Sequence, residues 1–175
     1  KEFEKILDMI IPKYGKPIIN LEGSGEPTME KDLNLYVKAV KSKDLKCYMY
    51  CNGARLNREF MKKVIDEGID FIRFSIIGYN PEVYKKWMNI DNFNLILKNI
   101  SETLQYINKV KSKCQLSTYH LITDNKNVKF EVNQYINNVI KQTNVLAYIW
   151  KMHNWSGNYD NKNPRQKTKR RSCGR

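Results

Sequence analysis

The feature that most constrains the fold of this 175-residue chain is the alternation of two hydrophobic periods along its length. Short runs rich in β-branched and aromatic residues, typical of buried strands, are separated by segments whose apolar residues recur every three or four positions, as in amphipathic helices. The predicted strands lie in the segments KPIINLEG, KCYMYCNG, IDFIRFSIIG, KCQLSTYHLI and NVLAYIWKM. The predicted order is one helix, four strand–helix units and a last strand.

Strict alternation of strands and helices predicts an α/β fold with parallel strands and right-handed crossovers. Strands this apolar are expected to be covered on both faces. Two architectures remain open at this point: a doubly wound open sheet, or part of a β/α barrel. In both, ligands bind at the carboxyl ends of the strands, which selects the loops GSGEP, CNGARL, SIIGYN and HNWSG.

The loop after the first predicted strand carries the most informative side chains. Gly23 and Gly25 allow close approach of a ligand to the backbone, and Pro27 stiffens the exit from the loop. Glu26 makes the loop electronegative, whereas a phosphate loop needs free N–H groups and a basic residue. The loop therefore favours a cation such as an ammonium group; alternatively, Glu26 only caps the next helix.

The net charge and the cysteine content indicate which partners and which cellular compartment are compatible with this chain. The formal net charge is +13, and seven of the last fourteen residues, 162–175, are Lys or Arg. Such a tail is either a solvated linker or a surface for nucleic acid or an acidic partner. The four cysteines are widely spaced in a chain without a visible secretion signal, which predicts reduced thiols and a cytoplasmic protein. No apolar run approaches the length of a bilayer span, so no membrane partner is expected.

The strand ending in Gly-Ser-Gly-Glu-Pro, followed one unit later by a strand ending in Asn52-Gly53, resembles the radical S-adenosylmethionine (radical SAM) superfamily. The resemblance extends through CYMYCNGARLN and FIRFSIIGYNPEVYKKW and covers roughly Ile6 to Gly157. At the other end, HNWSGN followed by RRSCGR resembles the entry to a SPASM-type auxiliary cluster domain.

The resemblance implies a partial β/α barrel over residues 1–152, with helices outside, and a basic linker and SPASM-like start over 153–175. It implies S-adenosylmethionine and a 4Fe–4S cluster as cofactors, an external electron donor, and hydrogen abstraction from a peptide or similar substrate by a 5′-deoxyadenosyl radical. Cys173 becomes a possible auxiliary-cluster ligand. The implied cofactor-binding residues are Ser24, Gly25, Glu26 and Pro27 for the methionine end, and Asn52 and Ser75 near the ribose or carboxylate.

Two elements of the family pattern are not found in this sequence. The Cys-x-x-x-Cys-x-x-Cys loop that holds the main cluster is expected before the first helix, and the sequence stops two residues after Cys173. Cys47 and Cys51 have the first spacing, but Ala54 stands at the third position and the strand is the wrong one, so they are interpreted as buried apolar residues. The resemblance therefore predicts an internal fragment, inactive by itself, of a radical SAM enzyme. A non-catalytic binding module that uses the basic tail is the alternative.

The two histidines, the aromatic residues of the strands and Arg73 are the remaining candidates for a functional role. Neither His120 nor His153 is assigned a role. Tyr48, Tyr50, Tyr119 and Trp150 are predicted to pack in the core rather than to stack on a substrate. Arg73 shares a strand face with Ser75 and is compatible either with pairing the cofactor carboxylate or with an outward salt bridge.

Overall fold

The structure is a computed structural model that describes residues 2–23 and 25–152. The predicted order of elements is confirmed in that part of the chain. The strands are β1 (Ile18–Asn20), β2 (Lys46–Cys51), β3 (Phe71–Ser75), β4 (Gln115–Ile122) and β5 (Leu146–Lys151). The helices are α1 (Glu2–Tyr14), α2 (Leu33–Ser42), α3 (Arg58–Asp66), α4 (Pro81–Met88), α5 (Phe93–Val110), α6 (Val128–Tyr135) and α7 (Lys141–Thr143). A 3₁₀ turn, Pro27–Met29, precedes α2, and a π-helical turn, Ile136–Ile140, joins α6 to α7.

The five strands form one parallel sheet in the order β1-β2-β3-β4-β5. A doubly wound sheet reverses its strand order at a switch point, whereas a barrel adds each strand beside the preceding one. The sequential order therefore decides between the two architectures that the sequence left open. The fold is α/β, a partial (βα) barrel with its helices outside, as predicted.

One face of the sheet carries the core. On β2, Cys47, Met49 and Cys51 point toward the helices and are at most 3% exposed, because alternate residues of a strand point to opposite faces. The other face, called the open face below, is far less covered: Tyr148 is 41% and Trp150 60% exposed. In the described part of the chain, the expectation that both faces are covered is therefore wrong.

The helix boundaries follow from the local signals in the sequence. The Asn57 side chain accepts the Phe60 N–H at 2.9 Å and caps α3. Gly68 ends the same helix with a φ of +87°, the left-handed conformation that glycine adopts without strain. Asn80 caps α4 in the same way, accepting the Val83 N–H at 2.8 Å. These caps set where each loop between strand and helix begins and ends.

Residues 153–175, with the predicted linker, His153 and the possible ligand Cys173, lie outside the described residues, as does Ser24. No helix in the described part of the chain combines the length and the apolar character needed to cross a bilayer.

Candidate functional site

The candidate site is the edge of the sheet where β1, β2 and β3 end. Because all strands are parallel, their carboxyl ends meet at this edge. Cys51 pairs with Phe74, so the next residues of the two strands, Asn52 and Ser75, come side by side. The fold thus brings together Gly25, Glu26, Asn52 and Ser75, which the sequence distributes over three different loops.

Glu26 joins the first loop to the second. One carboxylate oxygen, Oε1, accepts hydrogen bonds from the Thr28 hydroxyl at 2.6 Å and the Thr28 N–H at 3.2 Å. The other, Oε2, accepts the backbone N–H of Asn52 at 2.8 Å. Glu26 therefore does cap the 3₁₀ turn, the alternative that the sequence left open, and it also ties the glycine loop to the end of β2. Since a carboxylate oxygen accepts two hydrogen bonds, Oε2 keeps capacity for a further donor such as an ammonium group.

The Asn-Gly turn after β2 is held from the other side by α5. Gly53 has a φ of +77°, and a Cβ there would lie 2.9 Å from Cδ1 of Phe74, so both conformation and space require glycine. The buried Asn99 donates from Nδ2 to the Gly53 carbonyl at 2.8 Å. Asn52 closes the turn by accepting the Ala54 N–H on its own Oδ1 at 2.9 Å. The amide N–H₂ of Asn52 is left as the donor of this side chain to a ligand.

The loop that follows Ser75 is fixed by His120, a residue to which the sequence assigned no role. Nδ1 of His120 accepts the Gly78 N–H at 3.2 Å, and its Nε2 lies 3.0 Å from a carboxylate oxygen of Glu131. A carboxylate only accepts, so Nε2 carries a proton and donates to Glu131, while Nδ1 also lies 3.2 Å from the Ile76 carbonyl oxygen. The imidazole is fully buried and stacks on the Tyr135 ring at 4.4 Å between centroids.

Glu131 completes this buried pair on α6. Its side chain is 1% exposed, and besides His120 it accepts both the N–H and the hydroxyl of Thr123 at 2.8 Å and the Asp124 N–H at 2.9 Å. Burial by itself raises the pKa of this carboxyl, but the hydrogen bonds from His120, Thr123 and Asp124 outweigh it and hold the pKa below the ordinary value. Sequence reasoning missed Glu131 because nothing local distinguishes a carboxylate on the inner side of a helix.

The space beside the glycine loop suits a small cationic group. A groove of about 350 Å³ lies between this loop, α1 and the start of α2, and the carboxylates of Glu22, Glu26 and Glu30 line it. A Cβ built on Gly23 or Gly25 would meet no atom within 4 Å, so the backbone here is open to a ligand. The groove offers acceptors on the loop and no basic side chain among those that line it, which suits an ammonium group, but Asn52 and Ser75 are not among its lining residues.

The two cysteines with cluster-like spacing, Cys47 and Cys51, are buried, as predicted, and lie on the helix-facing side of β2. Burial raises the pKa of the Cys47 thiol to about 12, with the Asp70 charge adding to the effect, and burial likewise raises the pKa of Cys51. Both thiols are therefore protonated and packed in the core. Within residues 2–23 and 25–152, no cluster of three or more His, Cys, Asp or Glu side chains could hold a metal ion.

The strand aromatics contradict the prediction that they pack in the core. Tyr48, Tyr50 and Tyr119 are half-buried on the open face, and Trp150 lies there 60% exposed. Arg73 shares this face, with its guanidinium carbon 4.6 Å from the Tyr50 ring centroid. Among the described residues it forms no salt bridge, so the expectation of an outward ion pair is not met.

The sequence of this chain matches one family model and several curated proteins. The sequence model of the Radical SAM superfamily matches residues 1–126. A probable GTP 3′,8-cyclase of Thermococcus kodakarensis is 32% identical over 111 residues, which cover 63% of this chain and 35% of that protein. The chain thus spans about a third of the length of this curated relative.

Solved structures share the fold at low sequence identity. Streptococcus suis SuiB bound to precursor peptide SuiA has a TM-score of 0.67 at 14% identity, covering 89% of this chain and 33% of SuiB. The structure of SuiB bound to S-adenosylmethionine has a TM-score of 0.62 at 16% identity, covering 89% of this chain and 34% of SuiB.

Proposed function

The chain belongs to the radical SAM superfamily, and on that premise we propose that residues 1–152 form the cofactor-binding part of a radical SAM enzyme. The observation that carries the proposal is the hydrogen bond from the Asn52 N–H to Glu26, because it ties the glycine loop to the Asn-Gly turn. Bound S-adenosylmethionine and a reduced 4Fe–4S cluster would supply a 5′-deoxyadenosyl radical for hydrogen abstraction.

The residues of this chain would bind and orient the cofactor. Ser24, Gly25, Glu26 and Pro27 would hold its methionine end, with the ammonium donating to the remaining lone pair of Glu26 Oε2 and to loop carbonyls. Asn52 and Ser75 would lie near the ribose or carboxylate. In the described part of the chain the Ser75 hydroxyl makes no hydrogen bond, which leaves it available to the ligand.

The main cluster would be held by a three-cysteine loop encoded before Lys1, with Cys173 a ligand of an auxiliary cluster and an external donor supplying electrons. The peptide in one SuiB structure supports a peptide or similar substrate, whereas the GTP 3′,8-cyclase relative supports a nucleotide. The similarity to SuiB is one of fold, and the similarity to the GTP 3′,8-cyclase is one of sequence. Of the two substrate classes, peptide and nucleotide, we propose the peptide class.

The first test is the reading frame upstream of Lys1. A Cys-x-x-x-Cys-x-x-Cys loop is expected within about one strand–helix unit of it, a dozen or more residues. The protein that includes this loop, reconstituted with iron and sulfide, should show a broad charge-transfer absorbance and form 5′-deoxyadenosine when dithionite and S-adenosylmethionine are added. An upstream frame without the cysteines would refute the enzyme proposal.

The second test concerns the binding residues. In the reconstituted protein, Glu26→Gln should weaken S-adenosylmethionine binding roughly tenfold or more, because a charge-assisted hydrogen bond contributes about 1.5–3 kcal/mol. Glu30→Gln is the matched control, since it removes a carboxylate from the rim of the same groove without touching Asn52. Equal effects of the two variants on the dissociation constant would show that only the general negative potential matters.

A further inference from the structure

Among the strands that the structure describes, Arg73 supplies the one charged side chain in the middle of the open face. Its carbon Cζ lies 4.6 Å from the Tyr50 ring centroid and 4.3 Å from that of Tyr148, with Phe71 at 5.3 Å. Two tyrosine rings thus flank the guanidinium, Tyr50 from β2 and Tyr148 from β5. We call Arg73, Tyr50, Phe71 and Tyr148 the Arg73 cage.

Within the described residues, the cage leaves the two terminal nitrogens of the guanidinium without a hydrogen-bond partner. Nε donates to the Ser117 hydroxyl at 3.4 Å, a long bond, and no carboxylate pairs with Arg73 among the described residues. None of the five strands contains an Asp or Glu. Aromatic rings stabilise the faces of a guanidinium, while its N–H groups point outward in the ring plane and match a carboxylate or phosphate in a bidentate fork.

The position of the cage separates it from the methionine end of the cofactor site. Arg73 lies two residues before Ser75 on the same face, about 7 Å deeper along β3, and β1 with its glycine loop is two strands away, about 10 Å. The contacts of the side chain lie on both sides of β3, with Tyr50 on β2, Ser117 on β4 and Tyr148 on β5, and none of them lies on β1. An anion at the cage is therefore not the group that the glycine loop holds.

We propose that the Arg73 cage binds an anionic group, a carboxylate or phosphate, of the substrate. That the anion belongs to a substrate rests on the proposed function. The anion site itself rests on the geometry of the open face. The inference adds a chemical requirement to that function. The substrate carries a negative charge that reaches past Ser75 to Arg73, whether the charge belongs to an acidic side chain of a peptide or to another anion.

The test follows the Nε–Hε resonance of Arg73 by NMR in the 175-residue chain, titrated with inorganic phosphate and with acetate at constant ionic strength set by sodium chloride. We expect a saturable shift of this resonance with phosphate or acetate that chloride does not produce. Arg73→Gln should weaken binding of the same anion roughly tenfold or more, measured by calorimetry. Lys46→Gln, which removes a cation from the exposed first position of β2, should leave it unchanged.

A second arm separates the two sources of the anion. S-adenosylmethionine and its decarboxylated analogue are titrated into the wild-type chain and Arg73→Gln. If Arg73 paired with the cofactor carboxylate, Arg73→Gln would weaken binding of S-adenosylmethionine but not of the decarboxylated analogue, and the substrate assignment would be overturned. No response of the Arg73 resonance to either small anion would overturn the anion site.

The outcomes also separate this inference from the proposed function. A phosphate response at Arg73 in a protein that fails to bind S-adenosylmethionine, even when extended and reconstituted, would refute the function and leave the anion site standing. Cofactor binding without any anion response at Arg73 would refute the anion site and leave the proposed function standing.

Discussion

The buried pair of His120 and Glu131 gives the sharpest prediction of stability. Glu131→Gln keeps the size of the side chain but replaces one carboxylate oxygen by an N–H₂ group. If the remaining oxygen occupies the position of Oε1, it still accepts from His120 and Thr123, whereas the new N–H₂ group meets the Asp124 N–H, 2.9 Å from Oε2 in the wild type. Two donors then face each other in a site that is 1% exposed.

The magnitude follows from these contacts. An unsatisfied buried donor costs about 1–3 kcal/mol, and hydrogen bonds to a charged acceptor are roughly twice as strong as neutral ones. We therefore expect Glu131→Gln to lower the free energy of unfolding by about 3 kcal/mol. For a domain of this size that lowers Tm by roughly 6–12 °C.

The measurement is urea unfolding at pH 7, followed by far-UV circular dichroism. Glu59→Gln is the matched control, because Glu59 is 79% exposed in an i,i+4 pair with Lys63 and should change the free energy by less than about 0.5 kcal/mol. A loss below about 1 kcal/mol for Glu131→Gln would refute the reasoning, since it would mean that the four hydrogen bonds are not made together.

The same pair predicts a pH dependence of defined sign. The pKa of Glu131 is lowered in the folded protein, so the unfolded chain binds its proton more readily. The stabilisation is therefore present above the unfolded pKa, near 4.5, and is lost as the pH falls through the lower folded pKa. The difference in unfolding free energy between wild type and Glu131→Gln should shrink as the pH is lowered below 4.5. A difference that stays constant from pH 7 to pH 3 would contradict the lowered pKa.

Three further predictions concern the core behind the site. Gly53→Ala should destabilise the chain by about 1–3 kcal/mol in thermal unfolding, and more than Gly15→Ala, because both have positive φ but only the Cβ at 53 meets Phe74. Asn99→Leu should cost about 1–3 kcal/mol by leaving the Gly53 carbonyl unpaired; an unchanged midpoint would show that the turn holds itself. In a Cys173→Ser variant, a thiol reagent should label no cysteine at pH 8 before urea is added, because burial raises the pKa of the remaining thiols; rapid labelling would contradict their burial. Those thiols belong to Cys47, Cys51 and Cys114.

The sequence determined the elements, their order and the edge of the sheet where a ligand would bind. Hydrophobic periodicity and the local signals that begin and end helices suffice for this, because a helix cap such as Asn57 or a terminating glycine such as Gly68 acts within a few residues. The family signature could also be recognised in the sequence, since Gly-Ser-Gly-Glu-Pro and Asn52-Gly53 are contiguous.

Only the tertiary structure decided which partners hold those loops in place. Glu26 meets the Asn52 N–H, Asn99 meets Gly53, and Glu131 meets His120. Local periodicity does not encode these pairs, because they join residues that come together only when helices pack on the sheet.

The faces of the sheet show the same division. The alternation of residues on β3 assigns Arg73 and Ser75 to one face, but it does not say whether that face is covered. Whether a face is covered depends on which side of the sheet each helix packs against, and the helices described here pack on the opposite side. The physical reason is that burial is a property of the whole assembly, whereas side-chain alternation is a property of the strand.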